Sequence, residues 1–300
     1  MKPGRSPHSM KVAIFGVSGQ LGRDVALSLA AHEVEGVDHA RADIRDADGV
    51  ARLVGELTPD WAINCAAMTN VDGCEHNPLA AFETNALGAR NVARACAAHG
   101  VRLIHVSTDY VFDGGKGSAY VETDRATPIN AYGISKYAGE CFARYECDQS
   151  VVLRTSGLYG LHPCRGKSGN FVETMLARAA SGGPLRVVAD ERLTPTFTVD
   201  LAAQIRTMID AAVPAGVYHA TNGGECSWHE FTVALMRLAG VTIEVNPIRA
   251  SDWKSPTRRP ASSVLENRAL QSLGIDTMPH WQDALARYLA LRPLPGTRAG

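Results

Sequence analysis

No run of about 18 apolar residues occurs in the sequence, so no membrane-spanning helix is expected. An excess of charge of either sign is also missing: 30 Lys and Arg stand against 31 Asp and Glu, with no long run of one kind. That balance argues against a nucleic-acid groove or a membrane-binding face and leaves a small molecule as the expected partner. The seven cysteines, Cys65, Cys74, Cys96, Cys141, Cys147, Cys164 and Cys226, include no Cys-x-x-Cys pair. An odd, scattered set fits buried thiols in a reducing compartment better than disulfides or a zinc site, and no metal is expected. The first ten residues carry charge and proline without an apolar core, which reads as a loose leader and points to the cytoplasm. There is no internal repeat or low-complexity tract.

What is present is a chain of 300 residues with 45% hydrophobic content, enough for one large or two modest domains. Lys11 to Phe15 is a short apolar run, followed by Gly16-Val-Ser-Gly19-Gln-Leu-Gly22 and an alanine- and leucine-rich stretch to Ala31. The order is strand, turn, helix. In such a turn one glycine permits the bend, the next lets the main chain approach a pyrophosphate, and the last lets helix pack on strand. His32 to Val37 reads as a second strand ending at Asp38, 22 residues after Gly16 and placed to bind an adenosine ribose. A carboxylate there favours NAD over NADP, while His39 and Arg41 blunt the preference. Asp43-Ile44 follows in a loop suited to the adenine edge, or to simple capping of a helix near Asp46.

Trp61 to Cys65 reads as a third strand, and the small residues Ala66 and Ala67, with Met68, leave room at its carboxyl end for the nicotinamide half of a dinucleotide. A helix is expected from about Pro78 to Ala98, then strands at Val101–Val106 and Val151–Arg154. Further on come a helix at Asn170–Ala180, a strand at Leu185–Ala189, a helix at Thr198–Ala212 and a strand at Gly216–Ala220. Strands alternating with helices predict an α/β fold: a Rossmann-type doubly wound parallel sheet with a smaller mixed C-terminal substrate lobe. The dinucleotide-binding domain is expected at 11–157, with returning segments about 185–222. The lobe is expected at 158–184 and 223–300, with helices around 228–239 and 280–291 and a mobile loop, Leu161–Gly169, over the site.

The chemistry is concentrated between Asn130 and Glu140, where Tyr132 and Lys136 stand four residues apart on one helix face. An ammonium beside a phenol favours the phenolate and makes it a tuned proton donor and acceptor. Gly133 and Gly139 let a backbone or flat ligand come close. Thr108, at the end of the fourth strand, adds a second hydroxyl.

The glycine turn, the strand-end Thr108 and the Tyr132-x-x-x-Lys136 helix, in this order, resemble the extended short-chain dehydrogenase/reductases. Within them the chain is similar to the dTDP-4-dehydrorhamnose reductase group. Asn64 to Glu75, Ser107 to Gly114, Ala131 to Glu140, Arg154 to Gly160, Gly169 to Phe171, Pro195 to Leu201 and Arg259-Pro260 carry the likeness, and Ser-Thr-Asp-Tyr-Val-Phe-Asp-Gly is its most specific piece. The resemblance implies reduction, by NADPH or NADH, of the 4-keto group of a nucleotide-linked 6-deoxyhexose, as in dTDP-L-rhamnose biosynthesis. It implies Thr108, Tyr132 and Lys136 as the catalytic trio. Gly16, Gly19, Gln20 and Leu21 would meet the pyrophosphate, Asp38, Asp43 and Ile44 the adenosine, and Ala66, Ala67 and Met68 the middle of the cofactor, with Tyr132 and Lys136 at the nicotinamide ribose. Asp109, Gly157, Asn170 and Arg259 are expected at the substrate, and some relatives are homodimers.

Gly157 departs from better-known members, which carry a tryptophan there, and this bears on which ketosugar fits. A dehydratase on the same fold usually has Glu where Tyr110 stands. A non-catalytic dinucleotide-binding subunit, similar to the beta subunit of methionine adenosyltransferase, is the alternative of a different class; a reductase of another nucleotide ketosugar is the alternative within the same class.

Overall fold

The computed structural model describes residues 9–162, 169–253 and 255–292. The leader up to residue 8, Cys164 and most of the loop expected at Leu161–Gly169 lie outside the described residues. Five strands, β1 (Lys11–Phe15), β2 (Glu33–Val37), β3 (Trp61–Asn64), β4 (Arg102–Thr108) and β5 (Ser150–Thr155), join Gly216–His219 in one parallel sheet. Its spatial order is β2, β1, β3, β4, β5 and then Gly216–His219. The direction of winding reverses between β1 and β3. Ligands of open parallel sheets bind in the crevice at such a reversal, beyond the carboxyl ends of the strands.

Alternation along β1 explains why the sheet is covered on both faces. Val12 and Ile14 join a core with Val25, Ile63, Leu201 and Ile205, whereas Ala13 and Phe15 join another with Val50, Val54, Ala62 and Val92. Helices Gln20–Ser28 and Thr198–Asp210 close the first face; Ala47–Leu57, Gly88–Ala98 and Ala131–Glu146 close the second. All four of these β1 side chains are fully buried. Truncating one of the larger of them to alanine costs about 2–5 kcal/mol.

A third core, with Tyr159, Phe197, Phe231, Trp281 and Tyr288, gathers the helices Phe171–Ala180, Trp228–Leu238 and Trp281–Leu291 with short strand pairs. Leu185–Val188 pairs parallel with Val245–Ile248, Leu158–Tyr159 pairs parallel with Thr196–Phe197, and Arg192–Leu193 pairs antiparallel with Cys226–Ser227. Trp228–Leu238 starts from a reciprocal cap between Ser227 and Glu230.

One feature matches an alternative that the sequence left open, and one differs from the expectation. Ala47–Leu57 is a helix, started by Asp46 accepting from the Gly49 amide at 3.1 Å. The stretch expected as one helix from Pro78 to Ala98 contains a wider π-helical turn at Glu83–Leu87, between Pro78–Phe82 and Gly88–Ala98. Among the described residues no helix is long and apolar enough to cross a membrane, and none of the six described cysteines is in a disulfide.

Candidate active site

Asn130 starts the helix Ala131–Glu146, which carries Tyr132 and Lys136, by accepting from the Gly133 amide at 2.8 Å. A Cβ at Gly133 would run into the Tyr110 carbonyl, so only glycine lets this helix lie so close to the end of β4. The approach sets the Tyr132 ring edge-on to Tyr110, with centroids 5.8 Å apart. One turn on, Lys136 is buried and donates to the Val106 carbonyl of β4 at 2.6 Å. Burial brings the Lys136 ammonium down to about 8, against the opposing pull of Glu140, Cys65 and Cys74.

Behind Lys136 lies an ion pair that the sequence reading missed. Arg154 of β5 grips the Glu140 carboxylate with two N–H groups, at 2.9 and 2.7 Å, and Ser107 donates to the same carboxylate at 2.6 Å. Glu140 and Arg154 side chains are 3% and 5% exposed, so neither charge is solvated by water. Its one sequence signal is spacing, since Glu140 stands four residues after Lys136.

Thr108 donates to Asp109 Oδ1 at 2.8 Å and accepts from the Tyr110 amide at 3.2 Å; Ser156 donates to Asp109 Oδ2 at 2.8 Å. Burial raises the Asp109 carboxyl, opposed by hydrogen bonds from Ser263, Ser156 and Thr108. Asn85, turned inward from the π-helical turn, accepts from Met68 N–H at 2.8 Å and donates to the Met68 carbonyl and to Ser135 Oγ, each at 3.0 Å. Ser135 Oγ in turn donates to the Tyr132 carbonyl at 2.8 Å.

Thr108, Tyr132 and Lys136 line one cleft of about 360 Å³ with Gly16, Gly19, Gln20 and Leu21. Ala67, Asp109, Gly157 and Asn170 line it as well. Its further lining from Glu191, Trp228 and Ser263 left no readable motif in the sequence. Gly16 has φ +79°, and a Cβ there would stand 2.8 Å from the Ala66 amide nitrogen. The main chains that leave the two switch-point strands, at Gly16 and Ala66, therefore pack directly on each other with no side chain between them, just before the amino terminus of Gln20–Ser28. That cradle fits a dinucleotide pyrophosphate.

Asp38, Asp43, Ile44, Ala66, Met68 and Arg259 fall outside the lining of this cleft. Asp38 ends β2 and accepts from the Ala40 and Arg41 amides at 3.1 and 3.0 Å. Asp43 is held by Arg45, whose hydrogen bonds bring its carboxyl down to about 2. Ile44 is buried against Gly88, Met68 is pinned by Asn85, and Arg259 pairs with Asp72 at 3.2 Å.

Known proteins resemble the whole chain. The spore coat polysaccharide biosynthesis protein SpsK of Bacillus subtilis is 38% identical over 94% of this chain and 98% of its own length. A dTDP-4-dehydrorhamnose reductase of Mycobacterium tuberculosis (strain H37Rv) is 36% identical over 97% of this chain and 98% of its own. The crystal structure of dTDP-4-dehydrorhamnose reductase from Bacillus anthracis in complex with NADP superposes with a TM-score of 0.89, at 35% identity over 94% of this chain and 99% of that one. Residues 10–292 match the RmlD substrate binding domain, and with that span the chain belongs to the RmlD family.

Proposed function

We propose that the protein is an NAD(P)H-dependent reductase of a nucleotide-linked 4-keto-6-deoxyhexose, with dTDP-4-dehydrorhamnose as the substrate. The observation that carries this reading is the meeting of Thr108, Tyr132 and Lys136 with the Gly16–Gly22 turn in one cleft. The bound reduced dinucleotide supplies a hydride to the ketone carbon. Negative charge then grows on the ketone oxygen, and Tyr132 delivers its phenolic proton there. General acid help of this kind is worth about 10²- to 10⁴-fold in rate. Lys136 supplies the cation that would favour the phenolate and would hold the nicotinamide ribose; Thr108 provides the second hydrogen bond to the ketone oxygen.

The described parts of 158–184 and 223–300 act as the lobe that holds the sugar nucleotide, with Asn170, Phe171 and Trp228 facing the shared cleft. Phe171 and Trp228 pack with centroids 4.3 Å apart and their planes tilted by 38°, an apolar wall from a different part of the chain than Gly157. Cytoplasmic residence belongs to the same proposal.

The test is to offer the purified protein a panel of nucleotide ketosugars with NADPH and with NADH, following nicotinamide absorbance and identifying the product. Oxidation with dTDP-4-dehydrorhamnose and formation of the secondary alcohol is the expected result. No oxidation of either dinucleotide with any ketosugar overturns the reading.

A further inference from the structure

The Thr108 hydroxyl has one proton, and against an ionised Asp109 that proton is committed. It points to Asp109 Oδ1 at 2.8 Å, while one lone pair accepts from the Tyr110 amide at 3.2 Å. Thr108 then offers the cleft only lone-pair density. An alkoxide developing in the cleft needs donors. The state of Asp109 therefore decides whether Thr108 helps or hinders the reaction.

Asp109 is 4% exposed and lines the same cleft as Tyr132 and Lys136. Its second oxygen accepts from Ser156 at 2.8 Å. The groups that favour its ionised form are the hydroxyls of Ser263, Ser156 and Thr108 and its own backbone amide, with no cation among them; burial acts in the opposite direction and prevails. A carboxylate without a counter-charge in a dry site takes up a proton more readily than one in water. The charged and titratable groups that line the same cleft are Tyr110 on its own turn, Tyr132 and Lys136 from the helix Ala131–Glu146, Cys65 after β3, and Glu191 and Arg192 from the lobe. Arg259 and Glu191 act on Tyr110 with opposite sign.

Building on the ketosugar-reductase reading, we propose that Asp109 is a positioning residue whose carboxyl proton aims the Thr108 hydroxyl at the substrate ketone. With Asp109 neutral, its O–H donates to Thr108 Oγ1. Both Thr108 lone pairs are then occupied, by Asp109 and by the Tyr110 amide, and the Thr108 proton is released to donate to the ketone oxygen. With Asp109 ionised, that proton turns back and the oxyanion loses a donor. Neither residue gives up a proton in turnover: the hydride comes from the bound dinucleotide, the proton from Tyr132, and Asp109 keeps its own. Reduction therefore requires the protonated carboxyl, and its rate falls as pH rises through the Asp109 titration.

The test combines infrared spectroscopy of the ligand-free protein with pH profiles of kcat on dTDP-4-dehydrorhamnose. Expected is a carboxylic C=O band that persists above the ordinary carboxylate range in wild type and is absent in Asp109→Asn. In turnover, Asp109→Asn, whose amide N–H donates at every pH, loses the fall assigned to the carboxyl. Thr108→Val and Asp109→Ala lose on the order of 10²-fold in kcat, as for a missing oxyanion donor. Thr108→Ser restores both rate and pH profile. With wild type active, a spectrum lacking the band, or an unchanged pH profile in Asp109→Asn, overturns the proposal alone. A wild type that reduces no nucleotide ketosugar overturns the functional reading and the proposal with it.

Discussion

Lys136 Nζ lies 2.6 Å from the Val106 carbonyl oxygen, so the charged end of this buried lysine is tied to the strand that ends in Thr108. Burial lowers this ammonium from its ordinary 10.5 to about 8. Below about 8 the folded protein holds it charged, and above that it does not. The Tyr132 phenol loses its cationic neighbour on the alkaline side. The reductive kcat should therefore fall as pH rises through about 8, and Lys136→Met should abolish that fall together with most turnover. The folding linkage has its own sign: the unfolded chain binds the extra proton between about 8 and 10.5, so the stability penalty of this buried lysine is relieved as pH rises through that window. Denaturation midpoints of wild type and Lys136→Met across the window check it.

Tyr132→Phe removes one oxygen from a ring that packs edge-on to Tyr110, leaving the ring contact in place. Dinucleotide affinity should be nearly unchanged and kcat should drop by about 10²- to 10⁴-fold. Fluorescence titration of NADPH, paired with steady-state rates, separates the two effects. Unchanged turnover would defeat the assignment.

Asp38 Oδ1 is fixed at the end of β2 by the amides of Ala40 and Arg41, and the Arg41 guanidinium turns back to Glu35 at 3.1 Å and the Gly36 carbonyl at 2.9 Å. A pre-set carboxylate beside a restrained arginine suits a free ribose hydroxyl better than a phosphate. Asp38→Ala should weaken NADH more than NADPH. Equal losses in the two dissociation constants would count against the ribose contact.

Gly157 has φ +55°, and a Cβ on it would sit 2.8 Å from Leu193 Cδ1, a side chain that itself lines the cleft. Gly157→Ala should cost on the order of 1–2 kcal/mol from the left-handed backbone alone. A tryptophan there must also displace Leu193. Thermal unfolding together with KM for the sugar nucleotide should show a lower midpoint and weaker substrate binding for Gly157→Trp.

Arg154→Met leaves Glu140 buried without its cation. Breaking one side of such a pair costs about 3–5 kcal/mol. Chemical denaturation should show this loss, whereas the double substitution Arg154→Met with Glu140→Gln should recover part of it. No recovery would mean that Arg154 acts through packing alone.

The meeting of Thr108, Tyr132 and Lys136 with the glycine turn was legible because each piece depends on local spacing: four residues on a helix, three glycines after a strand, a hydroxyl where a strand ends. The alternation of strands with helices likewise announced the parallel sheet, in which β1 is buried on both faces. Ser263, Glu191 and Trp228 reach the cleft from distant segments, and long-range packing has no local signature. Asp43 and Ile44 were read as an adenine loop, but whether their side chains face a ligand depends on Arg45 and Gly88, which claim them in this structure. The wide turn at Glu83–Leu87 was also hidden, because its apolar pattern continues that of the surrounding helix.

That turn has a consequence for tolerated change. It carries Asn85 round by the angle of one surplus residue, which is what lets a single carboxamide latch Met68 on one side and Ser135 on the other. Deleting any one residue from it would give a better-formed spiral and swing Asn85 aside by roughly 100°. A tidier helix would thus unfasten the loop at Met68 from the helix bearing Tyr132.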